Sequence, residues 1–165
     1  MQPWFRRKGI QQDRPFEDRD MKRDFTTHFP LVLVTFLLLD AVWLGLIAPR
    51  FYQSQIGHLL RETPNWYAAG AFYLVYISGL TVFVVTPAIR GQSLRRGVAT
   101  GAWFGIVTYA TYDLTNLATI KDWPLLVTFV DLAWGATLCA TTTFVSAWIG
   151  RRRIACCSRR GETAS

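Results

Sequence analysis

Three aspartates stand inside apolar runs of this chain, where a carboxyl group needs a reason to be. They are Asp40, Asp113 and Asp131. An ionisable group within hydrocarbon is costly and usually marks a site or a paired network. The densest polar stretch is Tyr109-Ala-Thr-Tyr-Asp-Leu-Thr-Asn116, inside a run of mostly apolar residues. At 3.6 residues per turn, Tyr109, Asp113 and Asn116 share an arc of about 60°. Phenol, carboxyl and amide therefore point the same way, and Thr108, Tyr112 and Thr115 widen the polar face. Asp40-Ala-Val-Trp43 and Asp131-Leu-Ala-Trp134 repeat one pattern. Residues three apart share a helical face, so each spacing places a tryptophan N–H beside its own aspartate. Carboxyls gathered at one depth suit acid/base or proton-carrying work. In that role Asp113 and Asp131 are the acid/base candidates, Asp40 is a third carboxyl, and Asn116 and Tyr109 orient a ligand.

Two weaker possibilities accompany this reading. His58 lies in the loop after the first apolar run, from where it could reach the mouth of such a site. Three carboxylates and a histidine could hold a hard divalent cation, but their spacing selects no metal, and none is assigned. No GxSxG, HExxH, Walker or dinucleotide-binding pattern occurs, so the enzyme classes those motifs mark gain no support.

The elements that must position these groups are read from charge and hydropathy. Of 165 residues, 51% are hydrophobic and 18% charged, and the charges are segregated. They crowd residues 1–28 and the stretch after Gly150, with small groups between four apolar blocks. That pattern predicts an all-α integral membrane four-helix bundle with spans at about 29–48, 66–89, 98–118 and 124–149. Residues 1–28 read as a flexible charged tail and 150–165 as a basic tail. Met21 is placed to start translation directly before the first span, which makes residues 1–20 an upstream extension. The first block is too long for the apolar core of a cleaved signal peptide. The segment 50–61 carries Phe51, Ile56, Leu59 and Leu60 among polar residues, as a short interfacial helix would.

Lys and Arg number seven in the N-terminal tail, three in loop 90–97 and five in the C-terminal tail. Only Arg50, Arg61 and Lys121 fall on the other side. This asymmetry predicts that both termini are cytoplasmic. It also accounts for the net charge of +7 without nucleic acid, for which the chain offers no recognition fold. Helix rise then places Asp40 about 12 Å, Asp113 about 7–8 Å and Asp131 about 10 Å below the outer surface. All three fall in the outer half of the membrane. Gly97-x-x-x-Gly101-x-x-x-Gly105 offers a stripe for close helix approach and for a homo-oligomer. Cys139 sits in the last block, and Cys156 and Cys157 form a reduced pair if the tail is cytoplasmic.

Several segments carry a family resemblance: Leu39-Asp40-Ala-Val-Trp43-Leu-Gly45, Phe51-Tyr52-x-x-Gln55-Ile-Gly57, Pro64-Asn65-Trp66, Tyr109 through Thr119, and Val130-Asp131-Leu-Ala-Trp134-Gly135. Together they resemble an uncharacterised family of predicted bacterial membrane proteins, domain of unknown function 2177, over about Phe25 to Ile149. The resemblance implies a small four-span protein of the bacterial inner membrane and supplies no activity. The leading expectation is an acidic pocket that binds or modifies a lipid or other apolar small molecule. The alternatives are a proton- or cation-coupled small transporter and a structural accessory subunit. The cytoplasmic halves of the second and third spans, apolar and glycine-rich, argue against the transporter.

Overall fold

The computed structural model describes residues 18–91 and 93–162, with side chains described for 23–91 and 93–153. The expected extension at residues 1–20 and the Cys156–Cys157 side chains fall wholly or largely outside that set. The described chain is all-helical. Helix α1 spans Asp18–Leu46, α2 Ala48–Ile56, α3 Trp66–Leu80, α4 Thr86–Arg90, α5 Leu94–Thr119 and α6 Leu125–Glu162. Residues 18–28, expected in a flexible tail, instead begin α1. Among the described residues, three segments are long and apolar enough to cross a membrane: Arg23–Leu46, Trp66–Arg90 and Leu125–Arg153. α5 has the length, at 26 residues, but its Tyr109–Asn116 stretch makes it less apolar than the other three.

Burial is inverted relative to a water-soluble domain. Val34, Leu38, Val75, Phe83, Trp103 and Phe129 are exposed, while Asp40, Asp113, Asp131, Thr142, Thr143 and Ser146 are buried. A bundle solvated by lipid has this distribution, because its apolar outer face costs nothing there while its polar groups need protein partners.

Local chemistry sets the helix ends. The Asn65 side chain accepts from the amides of Tyr67 and Ala68 to start α3, and the Ser93 hydroxyl accepts from the Arg96 amide to start α5. Pro87 lies near the end of the second span. The helix continues through it to Arg90, with one turn widened at Thr81–Val85, where the Thr86 amide reaches the Thr81 carbonyl. Gly91 follows at φ 148°, a conformation open to glycine. The Arg151 guanidinium then caps α4, donating to the Ala88 carbonyl through Nε at 2.9 Å and Nη2 at 2.5 Å.

α5 and α6 are joined by a tight turn in which Asp122 takes the left-handed conformation at φ 59°, a strain that aspartate tolerates better than most residues. Asp113 and Asp131 lie nine residues to either side of it. Equal rise therefore sets them side by side on antiparallel helices. The glycine stripe brings the two helices close. A Cβ on Gly101 would lie 2.5 Å from Thr143 Oγ1, and one on Gly105 would overlap the Gly135 carbonyl. Gly97 packs on Ala88 in the same way. These three glycines are buried within the chain. The stripe expected at an oligomer interface is thus spent on intramolecular packing, because α6 and α4 offer it the nearest backbone.

Candidate functional site

The end of the bundle that carries α2 and the α5–α6 turn holds all three aspartates, each buried: Asp113 is 0% exposed, Asp131 5% and Asp40 7%. They divide into a pair and a single. Asp113 and Asp131 face each other across α5 and α6. Among the described residues neither Asp113 oxygen has a hydrogen-bond partner. Two adjacent carboxylates without a counter-charge repel in a low-dielectric interior. Asp40 on α1 has its own donor, the Tyr73 hydroxyl of α3 at 2.5 Å. Among the described residues no three His, Cys, Asp or Glu side chains gather as metal ligands would.

Tyr52 of α2 donates to Asp131 Oδ1 in a short hydrogen bond. Burial, and then this bond to Asp131, hold the Tyr52 phenol above its ordinary range, so it remains a donor. α2 is seated by apolar contact: Ile56 packs with Trp123 and Val127, and Phe51, Leu117 and Ile120 lie against them. Neither Tyr52 nor Tyr73 was singled out from sequence. A signal for Tyr73 was present, since a phenol seven residues into α3 lies about 10 Å deep, level with the carboxyls.

The tryptophans pair differently from the sequence expectation. Trp43 and Trp134 stack on each other between α1 and α6, with ring centroids 4.5 Å apart and planes 11° apart. Each indole is thereby turned toward the other helix's network. Trp134 faces Asp40 without closing a hydrogen bond, and Trp43 faces Tyr52, the partner of Asp131. The i, i+3 spacing is right, but stacking of two large rings outweighs a local N–H to carboxyl contact.

Tyr109 lies over Gly135, where a Cβ would strike its ring. Its hydroxyl is within electrostatic reach of Asp40, Asp131, Tyr52 and Cys139. Beyond it, the Tyr76 hydroxyl sits 2.9 Å from Thr108 Oγ1 and 3.1 Å from Cys139 Sγ. A cavity of about 440 Å³ is lined by Phe72, Tyr76, Thr108, Tyr109, Tyr112 and Asp131. A second, of about 240 Å³, shares Tyr112 and Asp131 and adds Tyr52, Ile56 and Trp123. Tyr112 is 60% exposed and meets Trp123 edge-on, so it stands as a partition at the opening of both. These spaces are apolar and aromatic with one carboxyl, the make-up of a small-molecule site.

Two candidate residues are not brought in. His58 is exposed on the turn after α2 and lines neither cavity. Asn116 is half-buried one turn from Asp113, but it also lines neither cavity. Its backbone carbonyl accepts the Ile120 amide where α5 ends.

With this geometry in view, the comparisons with known proteins are informative at the level of family. The chain is 25% identical over 105 residues to a fluoride-specific ion channel FluC of Geobacter sp. (strain M21), covering 62% of this chain and 85% of that protein. No solved structure matches it. A family model described as "Predicted membrane protein (DUF2177)" matches residues 25–148, the region that carries the three buried aspartates and the stacked pair Trp43 and Trp134. The chain therefore belongs to the DUF2177 family of membrane proteins.

Proposed function

We propose that this protein is a four-span protein of the bacterial inner membrane, both termini cytoplasmic, that binds an apolar small molecule or lipid in the outer half of the bilayer. The observation that carries the reading is the 440 Å³ aromatic cavity ending on Asp131, beside the buried Asp113. The Lys and Arg asymmetry supports the orientation, and α5 serves as the fourth span. The aromatic walls take the apolar body of the ligand. Asp131, held by Tyr52, meets its polar end. The carboxyl pair gives and takes a proton there: one member donates while the other accepts, and Tyr52 keeps Asp131 oriented. Asp40, held by Tyr73, faces the same region through Tyr109 and Trp134.

The test is a comparison of lipid extracts from cells with the intact gene, a deletion, and Asp113→Asn. The reading expects a lipid or apolar species that changes in the deletion and is not restored by Asp113→Asn. Identical extracts in all three would refute it.

A second reading, a small ion transporter, is favoured by the similarity to a fluoride-specific ion channel. Fluoride efflux from vesicles containing the purified chain decides it. Efflux no faster than from empty vesicles removes this reading and leaves the first intact.

A further inference from the structure

The cytoplasmic halves of the second and third spans read as apolar and glycine-rich, but the interior of α6 beside them is not apolar. On α6, Cys139, Thr142, Thr143 and Ser146 are all 0% exposed. Spacings of three and four put them in one stripe, on the face that begins at Asp131. A hydroxyl on a membrane helix normally donates to the carbonyl four residues back. Thr143 does so to Cys139, and exposed Thr137 does so to Ala133. Thr142 and Ser146 do not, and among the described residues their hydroxyl oxygens have no hydrogen-bond partner.

The stripe is set into the apolar core of the bundle. Cys139 and Ala147 pack in the same core as Val84, Val85 and Ala88, which sets this part of α6 against the widened turn Thr81–Val85. Buried polar groups left unpaired, as the Thr142 and Ser146 hydroxyls are, are where ordered water sits.

We infer that this stripe is a hydrated proton path that joins the acidic site to the opposite end of the bundle. At the acidic end, Cys139 Sγ lies 3.1 Å from the Tyr76 hydroxyl, and Tyr76 lines the cavity that also holds Tyr109 and Asp131. Along α6, Cys139 to Thr142 is about 4.5 Å and Thr142 to Ser146 about 6 Å of axial rise. A single water bridges about 5.6 Å, two hydrogen bonds of about 2.8 Å each. At the far end, Thr86 Oγ1 lies 3.2 Å from His28 Nδ1, and Asp24 pairs with Arg90 beside them. Each hydroxyl or water on the path accepts one proton and releases another, so no covalent bond of the protein changes and one positive charge crosses. This path lies in the other half of the bundle and goes beyond the ligand reading without resting on it.

The experiment uses the full chain in phosphatidylethanolamine–phosphatidylglycerol vesicles with a trapped pH-sensitive dye. A potassium gradient with valinomycin supplies the compensating charge. The wild type is expected to acidify the lumen faster than empty vesicles. Thr142→Val combined with Ser146→Ala is expected to fall to the empty-vesicle rate. Thr142→Ser, which keeps the hydroxyl, and Thr137→Val, which faces outward, are expected to keep the wild-type rate. Ser146→Ala alone, the mildest change, must also slow uptake, which covers the case in which the double variant does not fold. A wild-type rate equal to that of empty vesicles overturns the inference, as does an unchanged rate in Ser146→Ala. Loss of the ligand reading would leave all of these rates as stated.

Discussion

Replacing Tyr52 with phenylalanine removes one oxygen atom and little else, which makes its consequence calculable. Tyr52 ties α2 to α6 through its hydroxyl, the donor to Asp131. The remaining hold on α2 is apolar, from Ile56, Trp123 and Val127 with Phe51 beside them, and Tyr52→Phe keeps all of it. A hydrogen bond to a charged partner contributes about 1.5–3 kcal/mol, and removing it leaves Asp131 with a lone pair unsatisfied in a buried place. The docked state of α2 should lose that amount relative to an undocked one. In equilibrium terms this is a factor of about 10 to 150. Hydrogen exchange of the α2 amides, followed by mass spectrometry in lipid nanodiscs, reads the ratio directly, since opening is local. Exchange over residues 50–56 should accelerate by about that factor, while α5 and the far half of α6 stay unchanged. Tyr67→Phe, at a side chain 93% exposed, is the matched control and should change nothing. Unchanged protection in Tyr52→Phe would show that apolar contact alone seats α2, and the role given to this phenol would be wrong.

Two further outcomes follow from the packing. Gly105→Ala places a methyl group on the Gly135 carbonyl and should destabilise the bundle by about 1–3 kcal/mol or more, read as a lowered melting temperature in detergent, whereas Gly45→Ala, with open space around it, should be neutral. Arg151→Ala uncaps α4 by removing both donors to the Ala88 carbonyl; the amides around Arg90 should exchange faster, by a local loss of about 1–3 kcal/mol, while exposed Arg153→Ala leaves them as they were.

The grouping of the three carboxyls could be read from the chain alone, for a geometric reason. Helix rise is constant, so counting residues from each span end put Asp40, Asp113 and Asp131 at one height, and they share one end of the bundle. The donors were harder to see. Tyr73 sits in an apolar span where an aromatic ring is ordinary packing, and Tyr52 in a loop whose fold had to be known before its reach could be judged. The tryptophans were read by local spacing, and a contact between helices overrode it. The glycine stripe reads as a close-approach surface open to a helix of this chain or of a second copy, because sequence does not tell which neighbour arrives. Thr142 and Ser146 escaped notice because a span hydroxyl usually satisfies itself on its own helix. Only the structure shows that these two do not.

The central claim is that Asp131, backed by Asp113, receives the polar end of an apolar ligand. Native mass spectrometry of the full chain, released from nanodiscs cut directly from its own membrane, tests it with least intervening assumption. The account predicts that the wild type carries a defined apolar molecule distinct from the bulk phospholipids, and that Asp131→Asn, folded and equally abundant, carries much less of it. Wild type and Asp131→Asn carrying the same bulk phospholipids in the same proportions, and nothing else, would contradict it.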